Sequence, residues 1–271
     1  MTVRLISAAV AIIIGVSVIF FLPVEVFYTA VALLCAIAVY ELLHAAGDRI
    51  APTVMVVSIA VGFAVPFSCL LPEPLYFIFM LLGYGLFLAV WLVTHHTVAI
   101  ETVGYAFFVT CYATVSFLCM NWIRHGENGL FYLLLALFIP WICDGCAYFA
   151  GTFFGKHKMC PHISPKKTWE GFGGGLVFGI LMTMLFGWLF FWITSGKTEG
   201  LIFWQVALVA LLVGLASVVG DLFASVIKRQ YGVKDFGKIM PGHGGVMDRF
   251  DSVCLSVPVL LALIQVFPMV G

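Results

Sequence analysis

Nine apolar runs, each close to the length that crosses a lipid bilayer, constrain the fold of this chain more than any other feature. A helix needs about 20 residues to cross the hydrocarbon core of a bilayer, and backbone polar groups cannot stay unpaired there. With 63% hydrophobic and 10% charged residues, the composition is typical of a polytopic membrane protein. The runs cover residues 5–22, 26–45, 53–71, 75–93, 105–123, 130–149, 172–194, 201–227 and 253–270.

The basic residues are distributed unevenly between the connections that join these runs. If the N-terminus is cytoplasmic, eleven of the thirteen lysines and arginines lie on the cytoplasmic side, and only Arg124 and Lys197 lie outside. Cytoplasmic connections are enriched in these residues, so the pattern predicts a cytoplasmic N-terminus and an external C-terminus. The run 5–22 has no clear small-x-small cleavage site, and we interpret it as a retained first helix.

The chain is therefore predicted to be an all-α polytopic integral membrane protein with about nine transmembrane helices. We interpret residues 1–271 as a single membrane domain, with N-terminal spans over about 1–129 and a catalytic core over about 130–271. Thirteen basic and thirteen acidic residues cancel, so the net charge predicts no nucleic-acid partner. The eight cysteines fall mostly inside apolar runs, and the pair Cys143 and Cys146 has no second pair at zinc spacing.

The segment 225–251 is the most polar part of this apolar chain. It carries eight charged residues, one histidine, five glycines and a proline. Glycine and proline at this density predict a loop whose backbone can approach a ligand closely. Carboxylates beside lysines and exposed amides suit a site for phosphate and a divalent metal, with a solvated cytoplasmic loop as the alternative.

Four aspartates are predicted to meet at one shallow level below the cytoplasmic surface. Asp144 and Asp221 lie inside apolar runs, where an ionisable residue is costly and needs either a function or a buried partner. Asp248 and Asp251 open the last run from the same side. A divalent-cation site is the preferred interpretation, and a structural network of aspartates with lysine or arginine is the alternative.

Two helical patterns add hydroxyl groups and lysines to these carboxylates. Asp221, Ser225 and Lys228 stand at i, i+4 and i+7, so they share one helix face. Before the seventh run, Ser164 is predicted as the N-cap of a helix that starts at Pro165 and carries two lysines in its first turn. Such a helix N-terminus suits a phosphate site, and an ordinary capped membrane helix is the alternative.

Two segments carry their polar residues in a specific order. From Ser225 onward, Lys-Arg follows after two residues, then Lys-Asp, Pro-Gly-His-Gly-Gly and Asp-Arg-x-Asp. Upstream, residues 144–149 read DGCAYF and residues 164–171 read SPKKTWEG. This order resembles the phosphatidate cytidylyltransferases, also called CDP-diacylglycerol synthases, over about residues 140–252.

The resemblance implies a membrane enzyme that transfers the cytidylyl group of CTP to phosphatidate, giving CDP-diacylglycerol and pyrophosphate. Mg²⁺, alone or with a second cation, is the expected cofactor. The expected metal ligands are Asp144, Asp221, Asp248 and Asp251. The residues expected to act in catalysis are Asp221, Asp248, Lys167, Lys228 and Arg249. The residues expected to bind substrate are Ser164, Lys166, Ser225, Lys234, His243, Gly244 and Gly245.

The expected partners are CTP, phosphatidate, membrane lipid and a second copy of the chain. The resemblance implies a homodimer in a bacterial cytoplasmic membrane, with the active site on the cytoplasmic side. The alternatives are a CTP-dependent lipid kinase of the polyprenol or dolichol type and an anion- or proton-coupled transporter. A transporter would typically show an inverted repeat, which this sequence lacks. Glu41 is interpreted as an interfacial residue, with a place in the site as the alternative.

Overall fold

The computed structural model describes residues 2–195, 200–240, 242 and 244–270. Lys197, His243 and Pro241, the proline of the Pro-Gly-His-Gly-Gly run, lie outside the described residues. The described chain is almost entirely helical, with one short hairpin. The helices are α1 (Thr2–Phe20), α2 (Val24–His44), α3 (Pro52–Ala64), α4 (Glu73–Thr94), α5 (Ile100–His125), α6 (Gly129–Phe154), α7 (Trp169–Ser195), α8 (Phe203–Gln230) and α9 (Met247–Val266).

The prediction of an all-α polytopic membrane protein is confirmed. Among the described residues, eight helices are long and apolar enough to cross a membrane, and each overlaps one predicted run. The remaining run, 5–22, overlaps α1, whose apolar stretch Ser7–Phe20 is shorter than spanning length. Because lipid offers no partner to backbone N–H and C=O groups, long apolar runs can satisfy them only as helices.

Prolines set the boundary between the third and fourth runs. Helix α3 ends at Ala64, and a 3₁₀ turn, Val65–Leu70, continues the span with Pro66 near its start. Proline has no N–H for the α-helical ladder, so the α-helix ends here. Helix α4 then begins beside Pro72, which occupies its N-cap position.

The chain divides into two compact units. The first consists of Met1–His125 and Gln230–Phe250, and the second of Gly126–Arg229 and Asp251–Gly271. In the first unit, the core lies between α2, α3 and α5 and includes Leu42, Leu43 and Phe117. The interpretation of residues 1–271 as a single membrane domain stays a prediction.

In the second unit, α6 and α7 cross through a row of small residues. Every fourth residue at the start of α7 is a buried glycine: Gly171, Gly175 and Gly179. A Cβ atom on Gly175 would lie 2.7 Å from the Cβ of Ala147, and one on Gly179 would meet the sulfur of Cys143. Small residues let two helices approach closely inside a membrane. This packing accounts for a small residue at position 143.

The predicted helix start at Ser164 is wrong. Residues Ser164–Thr168 form strand β2, which pairs antiparallel with β1 (Lys158–Cys160), and α7 begins only at Trp169. The cap is Thr168, whose Oγ1 accepts a hydrogen bond from the Gly171 N–H at 3.1 Å. A serine before a proline satisfies the local rule for an N-cap, but pairing with β1 keeps this segment extended.

Candidate active site

One face of α8 carries the polar residues that its spacing predicts. The hydroxyl of Ser225 lies 3.4 Å from Asp221 Oδ1, one helical turn away. Lys228 follows near the end of the same helix, and its residue surface is almost entirely buried. A charged residue at such a position requires an oppositely charged partner.

Asp221 forms an ion pair with Lys167, the fourth residue of β2. The Lys167 Nζ lies 2.6 Å from Asp221 Oδ2, and both side chains are 23% exposed. The hairpin places Lys167 for this contact, since β2 keeps the chain extended through Thr168 and α7 begins at Trp169. Partial burial reduces screening by water, so the pair is stronger than a pair on the protein surface.

A second ion pair joins α8 to the part of α9 in this unit. The Lys228 Nζ lies 3.6 Å from Asp251 Oδ2, with side-chain exposures of 11% and 15%. Gly220 makes room for α9, because a Cβ on it would lie 2.8 Å from the carbonyl oxygen of Asp251. Lys228, which is predicted to hold a phosphate, therefore contacts Asp251, which is predicted to hold a metal.

Asp144 completes the acidic part of this cluster. Its carboxylate accepts a hydrogen bond from Ser252 and interacts electrostatically with Asp221 and Lys167. Asp251 in turn interacts with both Asp144 and Asp221. Three carboxylates thus gather around two ammonium groups, which leaves one negative charge when all five are ionised. We call Asp144, Lys167, Asp221, Lys228 and Asp251 the charged cluster.

The contacts of the charged cluster correspond to the network of aspartates and lysines that the sequence left as an alternative. Among the described residues, no three His, Cys, Asp or Glu side chains stand where they could hold a metal ion by themselves. The donor atoms are nevertheless carboxylate oxygens, the ligands that Mg²⁺ prefers, and Mg²⁺ commonly takes only one or two of them beside substrate phosphates. The chemistry of the donors fits the ion, and its binding stays a proposal.

Asp248 lies in the other unit, at the start of α9. Its Oδ2 accepts hydrogen bonds from the N–H groups of Phe236 at 2.8 Å and Gly245 at 2.9 Å. The described residues from 231 to 246 form no regular helix, as their glycines predict, and Gly232 and Gly244 adopt φ values of 69° and 88°. Asp248 thus closes this loop, and its assignment as a metal ligand stays a prediction.

Glu41 of α2 reaches the same loop. Its side chain accepts hydrogen bonds from the N–H groups of Val246 at 3.1 Å and Met247 at 2.8 Å. Only 1% of the residue is exposed, so its interpretation as an interfacial residue is wrong. A signal for this role is present in the sequence, because Glu41 is the one acidic residue of the run 26–45 and a buried carboxylate needs a partner.

A cavity of about 560 Å³ lies beside this loop in the first unit. It is lined by residues of α2 around Glu41 and by Val233–Ile239, including the exposed Lys234. Gly244 and Gly245 lie in the same loop, and Arg249 is exposed on the first turn of α9. In the second unit, Lys166 is exposed on β2 and Ser164 is half-buried. The substrate-binding and catalytic roles of these residues stay predictions.

Comparison with known proteins identifies the family of this chain. The model of the cytidylyltransferase family matches residues 2–267. The chain belongs to this family. The match covers the polar segments together with the first five runs, whereas the sequence resemblance covered only about residues 140–252.

Curated relatives of this cytidylyltransferase-family chain carry one description. This chain is 43% identical over 140 residues to the phosphatidate cytidylyltransferase of Staphylococcus haemolyticus, and the match covers 51% of each protein. It is 39% identical over 161 residues to that of Staphylococcus epidermidis (59% of each), and 35% identical over 173 residues to that of Bacillus subtilis (64% of this chain, 62% of the relative). The chain thus spans little more than half the length of the curated relatives that it matches.

Proposed function

We propose that this integral membrane protein transfers the cytidylyl group of CTP to phosphatidate, forming CDP-diacylglycerol and pyrophosphate. The observation that carries the proposal is the charged cluster, in which two lysines and three aspartates meet inside a chain of the cytidylyltransferase family. The curated relatives named as phosphatidate cytidylyltransferases support the choice of substrates. A membrane-embedded site suits one substrate that comes from the bilayer and one from water.

The reaction requires positioning and charge neutralisation more than proton transfer. A phosphate oxygen of phosphatidate forms a bond to the α-phosphorus of CTP, and the bond from that phosphorus to the bridging oxygen of the β-phosphate breaks. Pyrophosphate leaves with the electron pair. The attacking phosphate is already ionised near neutral pH, so no strong general base is needed.

The lysines of the charged cluster would neutralise the transferred phosphoryl groups. Lys167 and Lys228 are held by Asp221 and Asp251, so their ammonium groups are oriented before substrate arrives. Groups that are fixed in advance stabilise charge in the transition state without reorganising. In the same unit, Lys166 would add positive charge from the hairpin, and Ser225 could contact a phosphate oxygen. Lys234 and Arg249 belong to the other unit, where each offers an exposed positive charge for substrate.

Mg²⁺ is the cofactor that we propose for this reaction. One or two of the carboxylates of Asp144, Asp221 and Asp251 would hold it, together with phosphate oxygens of the substrates. Bound there, the ion would withdraw electron density from the phosphoryl oxygens and stabilise pyrophosphate as a leaving group. A cytoplasmic-membrane location, a catalytic face on the cytoplasmic side and a homodimer complete the proposal.

Pyrophosphate release tests the proposal directly. Purified protein in detergent is given CTP and phosphatidate, each alone and together, with Mg²⁺ or with EDTA. We expect release only when both substrates and Mg²⁺ are present, together with CDP-diacylglycerol among the extracted lipids. Phosphorylation of a polyprenol without pyrophosphate release would instead identify a lipid kinase and overturn the proposal.

A further inference from the structure

A buried carboxylate ties the polar loop of the first unit to helix α2. The two oxygens of Glu41 accept the N–H groups of Val246 and Met247, which lie 205 and 206 residues away along the chain. These N–H groups stand at the N-terminus of α9, where the helix has donors without internal partners and a partial positive charge. The contact therefore satisfies a buried anion and caps the helix at the same time.

Two glycines of the loop are shaped around this carboxylate. A Cβ atom on Gly237 or on Gly245 would overlap the carboxylate oxygens of Glu41. The two glycines also pack against each other, since a Cβ on Gly237 would lie 3.0 Å from the Gly245 Cα. Neither position requires a left-handed backbone, so close approach to Glu41 is the reason that no side chain fits there.

The loop is closed around the same point by further hydrogen bonds. Asp248 accepts the N–H groups of Phe236 and Gly245, and the Met240 N–H donates to the Gly244 carbonyl oxygen at 3.0 Å. The cavity of about 560 Å³ is lined by Glu41 and by the loop residues that carry Lys234 and Lys238. Glu41 of α2 thus holds this cavity wall together with Asp248 and the hydrogen bond between Met240 and Gly244.

We propose that Glu41 is a positioning residue for nucleotidyl transfer. It fixes the described parts of the loop, residues 233–240 and 244–246, so that Lys234 and Lys238 present their charges to the triphosphate of CTP in one arrangement. The inference rests on the proposed function and adds a residue outside the polar segments. Glu41 acts through the loop, because its two oxygens are engaged by backbone N–H groups.

Glu41→Gln is the direct test. The amide keeps the size of the side chain but turns one acceptor into a donor that faces a backbone N–H. We expect kcat/KM for CTP to fall about 10- to 100-fold, the usual consequence of displacing a positioning group, while KM for phosphatidate stays within about twofold. Hydrogen exchange of the Val246 and Met247 amides should accelerate. We expect at least about a tenfold change at the amide that faces the new NH₂ group and a smaller change at the other, which keeps a neutral carbonyl oxygen in place of a carboxylate oxygen.

A second variant and two controls distinguish positioning from general stability. Gly245→Ala should reproduce both effects, since its methyl group displaces the Glu41 carboxylate. Gly104→Ala, in a helix of the same unit with nothing within 4 Å of the added atom, should change neither. Asn121→Ala removes a buried hydrogen bond to Pro66 in that unit and reports the kinetic effect of lost stability alone.

The outcomes separate this inference from the function on which it rests. The positioning role would be overturned if Glu41→Gln turned over CTP as wild type does. It would also be overturned if Glu41→Gln and Asn121→Ala lost the same Tm and the same turnover. A wild-type protein that releases no pyrophosphate would overturn the proposed function and the inference together. Loss of kcat/KM for CTP with accelerated exchange at residues 246 and 247 would support both.

Discussion

At the scale of single residues, the charged cluster contains two lysines that are each held by a carboxylate. Lys167 and Asp221 are 2.6 Å apart, and Lys228 and Asp251 are 3.6 Å apart, all in partly buried surroundings. Pairs of this kind contribute little net stability, because desolvation offsets much of the attraction. Their more consistent effect is orientation, because each carboxylate holds an ammonium group in one place.

Asp221→Asn should abolish most turnover without unfolding the protein. The substitution removes the carboxylate that faces Lys167 and a proposed ligand of Mg²⁺, while its volume stays the same. Loss of one such electrostatic group typically lowers kcat about 10²- to 10³-fold. Pyrophosphate release, measured beside thermal unfolding in detergent, tests this expectation.

Glu127→Gln is the matched control for Asp221→Asn. It removes an exposed acid of the same unit, and we expect wild-type turnover. If folded Asp221→Asn protein is nearly as active as wild type, Asp221 has no place in the reaction.

Local spacing was enough to predict one part of the site and not another. The i, i+4 pattern correctly placed Ser225 beside Asp221, because both lie on one helix. Glu41 could not be assigned in this way, since its partners are 205 and 206 residues away and are backbone groups that carry no sequence signal. Only the presence of a carboxylate in an apolar run indicated that such partners must exist.

At the scale of elements, the position of the site depends on how α6, the hairpin and α7 meet. Apolar periodicity predicted the helices but not the strand Ser164–Thr168, because its pairing with Lys158–Cys160 is a contact outside the local sequence. Thr168 then caps α7 through Gly171, and its hydroxyl would lie 2.9 Å from a Cβ on Gly151 of α6. Thr168, the residue after Lys167, thus contacts both α6 and α7 from its place in the hairpin.

Gly175→Val should destabilise this arrangement. Its Cβ would lie 2.7 Å from the Ala147 Cβ and 2.9 Å from the Cys143 carbonyl oxygen, so α6 and α7 would have to separate. Overpacking of this kind typically costs about 1–3 kcal/mol. We expect a lower Tm in detergent and a loss of turnover, because α6 carries Asp144.

Gly173→Val supplies the comparison for this element. It introduces the same β-branched residue into the same helix, where nothing lies within 4 Å of the added atom. The difference in Tm between the two variants therefore measures the helix crossing, free of helix propensity. Equal Tm values would show that the glycine row does not hold α6 and α7 together.

At the scale of the whole molecule, the membrane makes the fold class predictable. The orientation of the chain across the membrane is predicted only from the distribution of lysines and arginines. Eight described helices of spanning length agree with the composition, because a helix pairs the backbone N–H and C=O groups of such a run within the run itself. The side of the membrane has no comparable constraint within the chain. It rests on the basic residues: if α1 crosses together with the eight longer helices, a cytoplasmic N-terminus places eleven of them inside and two outside.

The two ends of α6 offer the sharpest test of this orientation. Glu127 precedes the helix, Lys156 follows it, and both are exposed, with α6 between them over Gly129–Phe154. One cysteine introduced at each position, in a background in which the eight native cysteines are replaced by alanine or serine, reports the side directly. A membrane-impermeant thiol reagent should label Glu127→Cys in intact cells and Lys156→Cys only in inverted vesicles.

The result bears on the proposed reaction as well as on topology. Lys156 leads into the hairpin that carries Lys167, so the side on which Lys156→Cys is labelled is the side from which this part of the charged cluster is approached. CTP is a cytoplasmic, highly charged molecule that does not cross a bilayer. Labelling of Lys156→Cys from outside intact cells would therefore contradict the orientation and remove the hairpin from the proposed CTP site. Labelling from the inside would show that the hairpin faces the compartment that contains CTP.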